Sequence, residues 1–300
     1  MQTASKRLPL DLRPAFLLPA VAALTALLVA GPARPDPHPD ARRIVAIGGS
    51  VTEIVYALGQ QERLIARDTT SSYPAEAMEL PDVGYMRALS PEGVLSVGPD
   101  LILAQEGAGP PEVIALLRDA GIPFETIGSG TDGEALIAKI QAVADTLGVP
   151  ETAEAPVAAL QADLERLADE PEEAARKRVL FVLTLQGGRV MAGGEGTEAD
   201  AIIRMAGAEN AIQGINGYKP LTDEAITAAA PDVILTMERG GGSESLNVAN
   251  EELLSLPALA TAPAARNGAV IRMDGLYLLG FGPRTGKAAL ELHDAIYGDG

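Results

Sequence analysis

GYMRALSPEGVLSVGPDLIL, residues Gly84 to Leu103, is answered further along the chain by GYKPLTDEAITAAAPDVIL, residues Gly217 to Leu235. Both copies run Gly-Tyr, a short spacer, Leu, Ser or Thr, one variable residue, Glu, a small residue and an aliphatic residue. Both close on Pro-Asp and an aliphatic run. From Leu89 and Leu221 to Leu103 and Leu235 the separation is constant at 132 residues, with one residue of slack upstream. A long-period repeat that occurs once implies two similar lobes, because a solenoid needs at least three units to bury its faces.

Outward from the first copy the chain alternates strand and helix. Arg43 to Ile47 is a β-rich run ending at Gly48 and Gly49. Ser50 followed by Glu53 has the spacing of a capping box opening a helix through Leu58. Leu64 to Ala66 is a second strand, and the polar segment RDTTSSYP, Arg67 to Pro74, leaves its end as a loop. In the repeat itself Pro91 and Glu92 suit the first turn of a helix, and Leu101 to Ala104 a buried strand. Pro111 to Ala120 and Gly133 to Leu147 read as helices, with Pro123 to Ile127 a strand between them. This βαβα order with short connections argues a parallel sheet covered on both faces, over residues 42–150.

Residues 151–177 lack glycine and place Val157, Leu160, Leu164 and Leu167 at helical spacing, so they read as one long helix bridging the lobes. A rigid crossover predicts small relative motion. The second lobe, residues 178–300, restarts with a strand at Val179 to Leu183. A helix from Thr197 to Ala206 follows, then the second copy of the repeat, Gly240-Gly241-Gly242, a strand at Ala269 to Arg272, the glycine-broken LYLLGFGPR of Leu276 to Arg284, and a last helix to Tyr297. The fold class is therefore α/β: two Rossmann-like lobes with parallel-type sheets joined by one long backbone helix.

Composition narrows function. With 300 residues and 47% hydrophobic content the chain can bury a sizeable core. It has no cysteine, so disulfides and thiolate chemistry are excluded. A net charge of -18 disfavours nucleic acid as a partner. Lys6, Arg7 and Arg13 precede the apolar run Ala15 to Ala30, with small residues Ala30, Gly31 and Ala33 after it. That is a secretory signal layout over residues 1–33, and the run, interrupted by Pro19, is short for a membrane anchor. Residues 34–41, rich in proline, read as a disordered leader. Histidine occurs only as His38 and His293, so neither an imidazole metal site nor a Ser-His-Asp hydrolase is supported. The glycines at 48 and 49 lack the spacing of a nucleotide loop.

The blocks RDTTSSYP, DVGYMRALSPEGVLSVGPDLILA, GYKPLTDEAITAAAPDVIL and MDGLYLLGFGPRT resemble the periplasmic haemin-binding proteins of bacterial ABC importers, from about Arg42 to the C-terminus. These share a helical-backbone scaffold with cobalamin and siderophore receptors. The resemblance implies a monomeric periplasmic carrier, not an enzyme and, without cysteine, not a lipoprotein. It would carry haem as a transported ligand to a permease dimer with its ATPase; the alternative cargo is cobalamin or a ferric siderophore.

The same resemblance assigns residues. Tyr73 matches the tyrosine that binds haem iron through its phenolate; its bland role is a rim tyrosine with a wet hydroxyl. Ferric iron and a nearby cation both favour a phenolate, and tyrosinate is an established haem ligand. Arg67 is close enough in sequence to be that cation, or else an ordinary surface arginine. Tyr85, Tyr277 and Phe281 are candidates for contact with the macrocycle, with burial as the competing role. Arg284, Arg87, Lys219 and Arg239 are the basic residues available to the propionates, Arg284 first among them. Glu92 and Glu224 occupy the same place in the two copies and match glutamates that dock a related receptor onto its permease. Helix N-termini favour glutamates on their own account. No histidine of the second lobe is available as a second iron ligand.

Overall fold

Runs of wholly buried aliphatic residues make the first sheet. The computed structural model describes residues 36–170, 175–238 and 249–298, with Gln2; the rest of the signal segment, Arg239 and the glycine triplet at 240–242 lie outside the described residues. Strands β1 (Ile44–Ile47), β2 (Leu64–Arg67), β3 (Leu101–Gln105) and β4 (Phe124–Ile127) pair in the order β2-β1-β3-β4, all parallel. Every residue of β1 is 0% exposed, as expected where helices cover both faces. Those helices are α1 (Gly49–Ala57), α2 (Pro91–Leu95), α3 (Pro111–Asp119) and α4 (Gly133–Leu147). Asp132 caps α4 by accepting from the Ala135 N–H, and Gly148 ends it in the left-handed conformation.

Two sequence expectations change here. Residues 36–41, read as disordered, are fastened to the lobe: the His38 N–H donates to the Thr146 carbonyl, Arg63 Nη2 donates to the His38 carbonyl, and His38 Nε2 pairs with Glu125 Oε1 at 2.9 Å. Proline discourages regular structure but not packing. Ser50 and Glu53 do not form a capping box either. The α1 N-cap is Gly48, without a side-chain bond, so both residues lie inside the helix.

The bridging helix α5 (Glu154–Asp169) is shorter than its sequence suggests, starting after a 3-10 turn at Pro150–Ala153. Glu170 is extended, the conformation that Pro171 imposes on the residue before it.

The second lobe has strands β5 (Arg178–Gln186), β6 (Arg189–Gly193), β7 (Glu209–Asn210), β8 (Tyr218–Pro220), β9 (Val233–Glu238) and β10 (Val270–Asp274). Its helices are α6 (Glu198–Met205), α7 (Asp223–Ala229), α8 (Asn250–Leu254), α9 (Pro263–Asn267), α10 (Gly275–Leu279) and α11 (Thr285–Tyr297). The sheet order is β10-β9-β5-β6-β8, with β7 paired to β5. β9, β10 and β7 follow the parallel pattern, whereas β6 runs antiparallel to both β5 and β8. The reversal is a two-residue turn at Gly187-Gly188 with φ of 57° and 77°, a conformation that glycine adopts without strain and that matches strand twist.

The sequence repeat is a structural one. Asp100 accepts hydrogen bonds from the Arg42 and Arg43 N–H groups, tying the start of β3 to the start of β1. Asp232 does the same for β9 and β5 through the Arg178 N–H. Ser90 caps α2 through the Gly93 N–H as Thr222 caps α7 through the Ala225 N–H. Behind each cap one aliphatic side chain anchors the helix, Val94 at 0% exposure and Ile226 at 2%. Both lobes belong to one compact unit, and a single apolar cluster runs from β1 and α4 through α5 into β5, α6 and α11.

Candidate ligand site

A buried carboxylate organises the loop that follows β2. Asp68 is 0% exposed. Its Oδ1 accepts from the Gly48 N–H at 3.0 Å and from Ser71 Oγ at 2.8 Å; its Oδ2 accepts from the Thr70 N–H at 3.0 Å and from Thr70 Oγ1 at 2.8 Å. Thr70 Oγ1 also accepts from the Gly49 N–H, and Ser71 Oγ meets Thr52 Oγ1. The polar residues of RDTTSSYP thus satisfy one another and the first N–H groups of α1, orphans at any helix start. Tyr73 emerges from this knot with 43% of its surface exposed.

The loop of the first repeat lies alongside, joined where the Thr69 N–H donates to the Gly84 carbonyl at 3.0 Å. Tyr85 on it is 42% exposed, and Arg87 Nη1 reaches the Tyr85 hydroxyl at 3.4 Å. Arg67 serves a different purpose: its guanidinium bonds Asp82 Oδ2 and the Asp68 carbonyl, both at 3.0 Å, which makes it a brace between the two loops. The sequence offered Arg67 as the cation beside Tyr73; among the described residues that place is taken by Arg284.

Arg284 comes from the second lobe. Its Cζ lies 3.4 Å from the centroid of the Tyr73 ring and 4.9 Å from that of Tyr277. Its Nε and Nη2 each donate to one oxygen of Glu53 at 2.9 Å, a bidentate pair between the lobes. Burial works against the Arg284 charge, but the Glu53 carboxylate outweighs it, and the pKa is raised. The approach is tight. A Cβ on Gly49 would fall 2.5 Å from Leu276 Cδ1 and 2.6 Å from the Thr70 carbonyl oxygen, and one on Gly282 would meet the Glu53 carboxyl carbon at 3.4 Å.

The segment before Arg284 is held at a second point. Lys139, on α4 and 3% exposed, donates from Nζ to the Phe281 carbonyl at 2.9 Å. Burial lowers its pKa to about 8, with Glu198 acting the other way. Phe281 itself has φ of 51° and is 3% exposed, so of its two sequence roles, macrocycle contact and burial, the structure shows burial. Tyr277 is half-buried beneath Arg284, and burial followed by Glu291 raises its pKa.

In the second lobe the second repeat supplies Tyr218, the counterpart of Tyr85, packed against Phe181. Its hydroxyl donates to Glu198 Oε2 at 3.0 Å, and burial and Glu198 together raise its pKa, while Arg87 of the first lobe lies near enough to lower it. Lys219 is exposed on β8 beside it. Glu92 and Glu224 are exposed and each is the second residue of its capped helix; hydrogen bonds from the Glu224 N–H and from Thr222 lower the pKa of Glu224. His38 pairs with Glu125, and His293 Nδ1 lies against the Ala206 carbonyl in α11, so both imidazoles have structural partners.

Tyr73, Tyr277 and Arg284, scattered in sequence, are therefore brought together, with Tyr85 and Arg87 on the adjoining loop. Glu53, Asp68, Lys139, Glu198 and Tyr218 escaped sequence reading. Two of them had a local signal: Asp68, an aspartate followed by four hydroxyl residues, which is the pattern of an Asx turn, and Tyr218, the tyrosine of the second Gly-Tyr repeat. Glu53 and Lys139 act across the lobe boundary through Arg284 and the Phe281 carbonyl, and Glu198 is bonded to Tyr218 on another element of its own lobe.

The profile of the Periplasmic binding protein family matches residues 44–276. Among solved structures, the periplasmic heme-binding protein BhuT in complex with two hemes is 43% identical, with a TM-score of 0.79 over 85% of this chain and 97% of that one. The apo periplasmic heme-binding protein RhuT from Roseiflexus sp. RS-1 is 39% identical, with a TM-score of 0.80 over 86% and 98%. The vitamin B12-binding protein of Pectobacterium atrosepticum is 29% identical over 273 residues, covering 90% of this chain and 92% of its own. The chain is a member of the Periplasmic binding protein family: a solute-binding protein of the ABC-transporter type, with two α/β lobes and no enzymatic role.

Proposed function

We propose that the chain carries haem between its lobes and delivers it to an inner-membrane ABC permease with its ATPase. The observation that carries this reading is the exposed Tyr73 phenol set face to face with Arg284. A ferric porphyrin bound through a phenolate places an anion where a fixed guanidinium compensates it, and tyrosinate is a known haem ligand. Tyr85, Tyr277 and Tyr218 supply aromatic surface around that point, and Arg87 and Lys219 supply cations for propionates on a chain of net charge -18. Both histidines being occupied elsewhere, the iron has one protein ligand, Tyr73. The two solved relatives described as heme-binding support the choice of cargo.

Delivery falls to Glu92 and Glu224. Their equivalent caps place one carboxylate on each lobe, as a two-fold permease requires of a two-lobed carrier. The leader of residues 1–33 directs export, and the monomer, having no cysteine to carry lipid, works in the periplasm either free or held by an uncleaved leader.

The vitamin B12-binding relative keeps cobalamin as the second reading. Titrating the protein separately with haemin and with cyanocobalamin separates the two. Saturable growth of a Soret band with haemin and no binding of cyanocobalamin at the same concentrations is expected; tighter binding of cyanocobalamin would transfer the reading to the alternative.

A further inference from the structure

We propose that Glu53 is a positioning residue for the ligand site: it fixes the Arg284 guanidinium on the Tyr73 ring and so governs how firmly the tyrosine holds iron. This rests on Tyr73 being the iron ligand. Glu53 is an anomaly in its own helix, a carboxylate 5% exposed between Thr52 and Ile54 on the buried side of α1. Such a burial is strongly unfavourable unless the charge is matched and its oxygens are satisfied. Both oxygens go to one guanidinium, at 2.9 Å each, from a residue 231 positions away.

The geometry leaves Arg284 little choice. Its Nε and Nη2 edge is fixed by the carboxylate, and its Cζ lies over the rings of both Tyr73 and Tyr277. A planar fork held on one edge has a defined plane, which a lysine or an unpaired arginine in the same loop would lack. The charged and titratable groups facing Arg284 are Glu53, Tyr73, Tyr277 and Asp274, and of these Glu53 is the one hydrogen-bonded to it. Gly282 packs over the same carboxyl group at van der Waals distance, so the second-lobe backbone lies against Glu53.

The test is a double-mutant cycle read on the ferric haemin complex of the full mature chain, with Glu53→Gln, Arg284→Gln and the double variant. Glutamine keeps the volume of Glu53 and leaves no buried charge in the double variant; if Arg284→Gln alone folds poorly, Glu53→Gln against wild type still decides the inference. Two quantities are measured: haemin affinity, and the pH at which acid displaces haem, followed by loss of the Soret band. A fixed cation disfavours proton competition for the phenolate. Glu53→Gln is therefore expected to weaken affinity about tenfold and to raise the acid-release midpoint, while the double variant matches Arg284→Gln on both measures. A midpoint and affinity unchanged in Glu53→Gln, or effects of the two substitutions that simply add, would overturn the inference. Tyr73→Phe run in parallel keeps the two claims apart: a complex insensitive to that change defeats the iron-ligand reading itself.

Discussion

Asp68→Asn is the substitution that most sharply tests how the ligand loop is built. The exchange keeps shape and burial but replaces one of two acceptor oxygens with an NH2 group. Asp68 receives two donors on each oxygen, one backbone N–H and one hydroxyl. A serine or threonine hydroxyl can rotate and accept from the new amide; a backbone N–H cannot. In either amide orientation, then, the Gly48 or the Thr70 N–H loses its acceptor inside the protein. That leaves one buried unsatisfied donor, at about 1–3 kcal/mol, and weakens the remaining bonds from charge-assisted to neutral. A loss of about 3 kcal/mol in unfolding free energy is expected. Urea denaturation followed by far-ultraviolet circular dichroism measures it, with the slope against urea expected to be unchanged. Because the same bonds place Tyr73, haemin affinity should fall about tenfold. A stability loss below about 1 kcal/mol with unaltered haemin affinity would refute the view that this carboxylate holds the loop.

Lys139 gives a pH signature. Its pKa in the folded protein is about 8 against an ordinary 10.5, so between those values the unfolded chain binds more protons and stability rises with pH. Relative to Lys139→Met, wild type should gain about 3 kcal/mol on passing from neutral pH to above pH 10.5, measured as the difference between their urea curves; a flat difference would contradict the burial argument. Reversing both Glu92 and Glu224 to lysine should abolish haem-dependent uptake in cells carrying the cognate permease while leaving haemin affinity intact. Unaltered uptake would exclude docking through these glutamates. Both lie exposed at the starts of short helices, so the loss of stability should stay within about 1 kcal/mol per site.

Local chemistry made the lobes legible. The Pro-Asp before each core strand is visible in sequence because its aspartate serves a strand start in the same lobe, and the caps Ser90 and Thr222 announce α2 and α7 within three residues. RDTTSSYP stood out for its polarity after a strand, although Asp68 as its centre did not, since its partners include Gly48 on another element. The antiparallel strand β6 is hard to read because its turn, Gly187-Gly188, splits one continuous β-rich stretch without any proline or polar run to mark it. What stayed hidden is long-range: Glu53 with Arg284, and Lys139 with the Phe281 carbonyl, 142 positions apart. Spacing rules describe a helix face or a turn, and they carry no information about which lobe that face will meet. For lack of it Arg67 and Phe281 kept two sequence roles each, ligand contact beside surface charge or burial. Asp82 claims the first, and a left-handed backbone turned toward Lys139 buries the second.

The central claim is that Tyr73 binds haem iron, and absorption titration of haemin into wild type and Tyr73→Phe tests it most directly. Phenylalanine preserves the ring stacked on Arg284 and removes only the oxygen. The expected result is a saturable ferric complex in wild type whose tyrosinate charge-transfer absorption is absent from the variant, with affinity lower by at least about tenfold. An identical spectrum and affinity in Tyr73→Phe would contradict it.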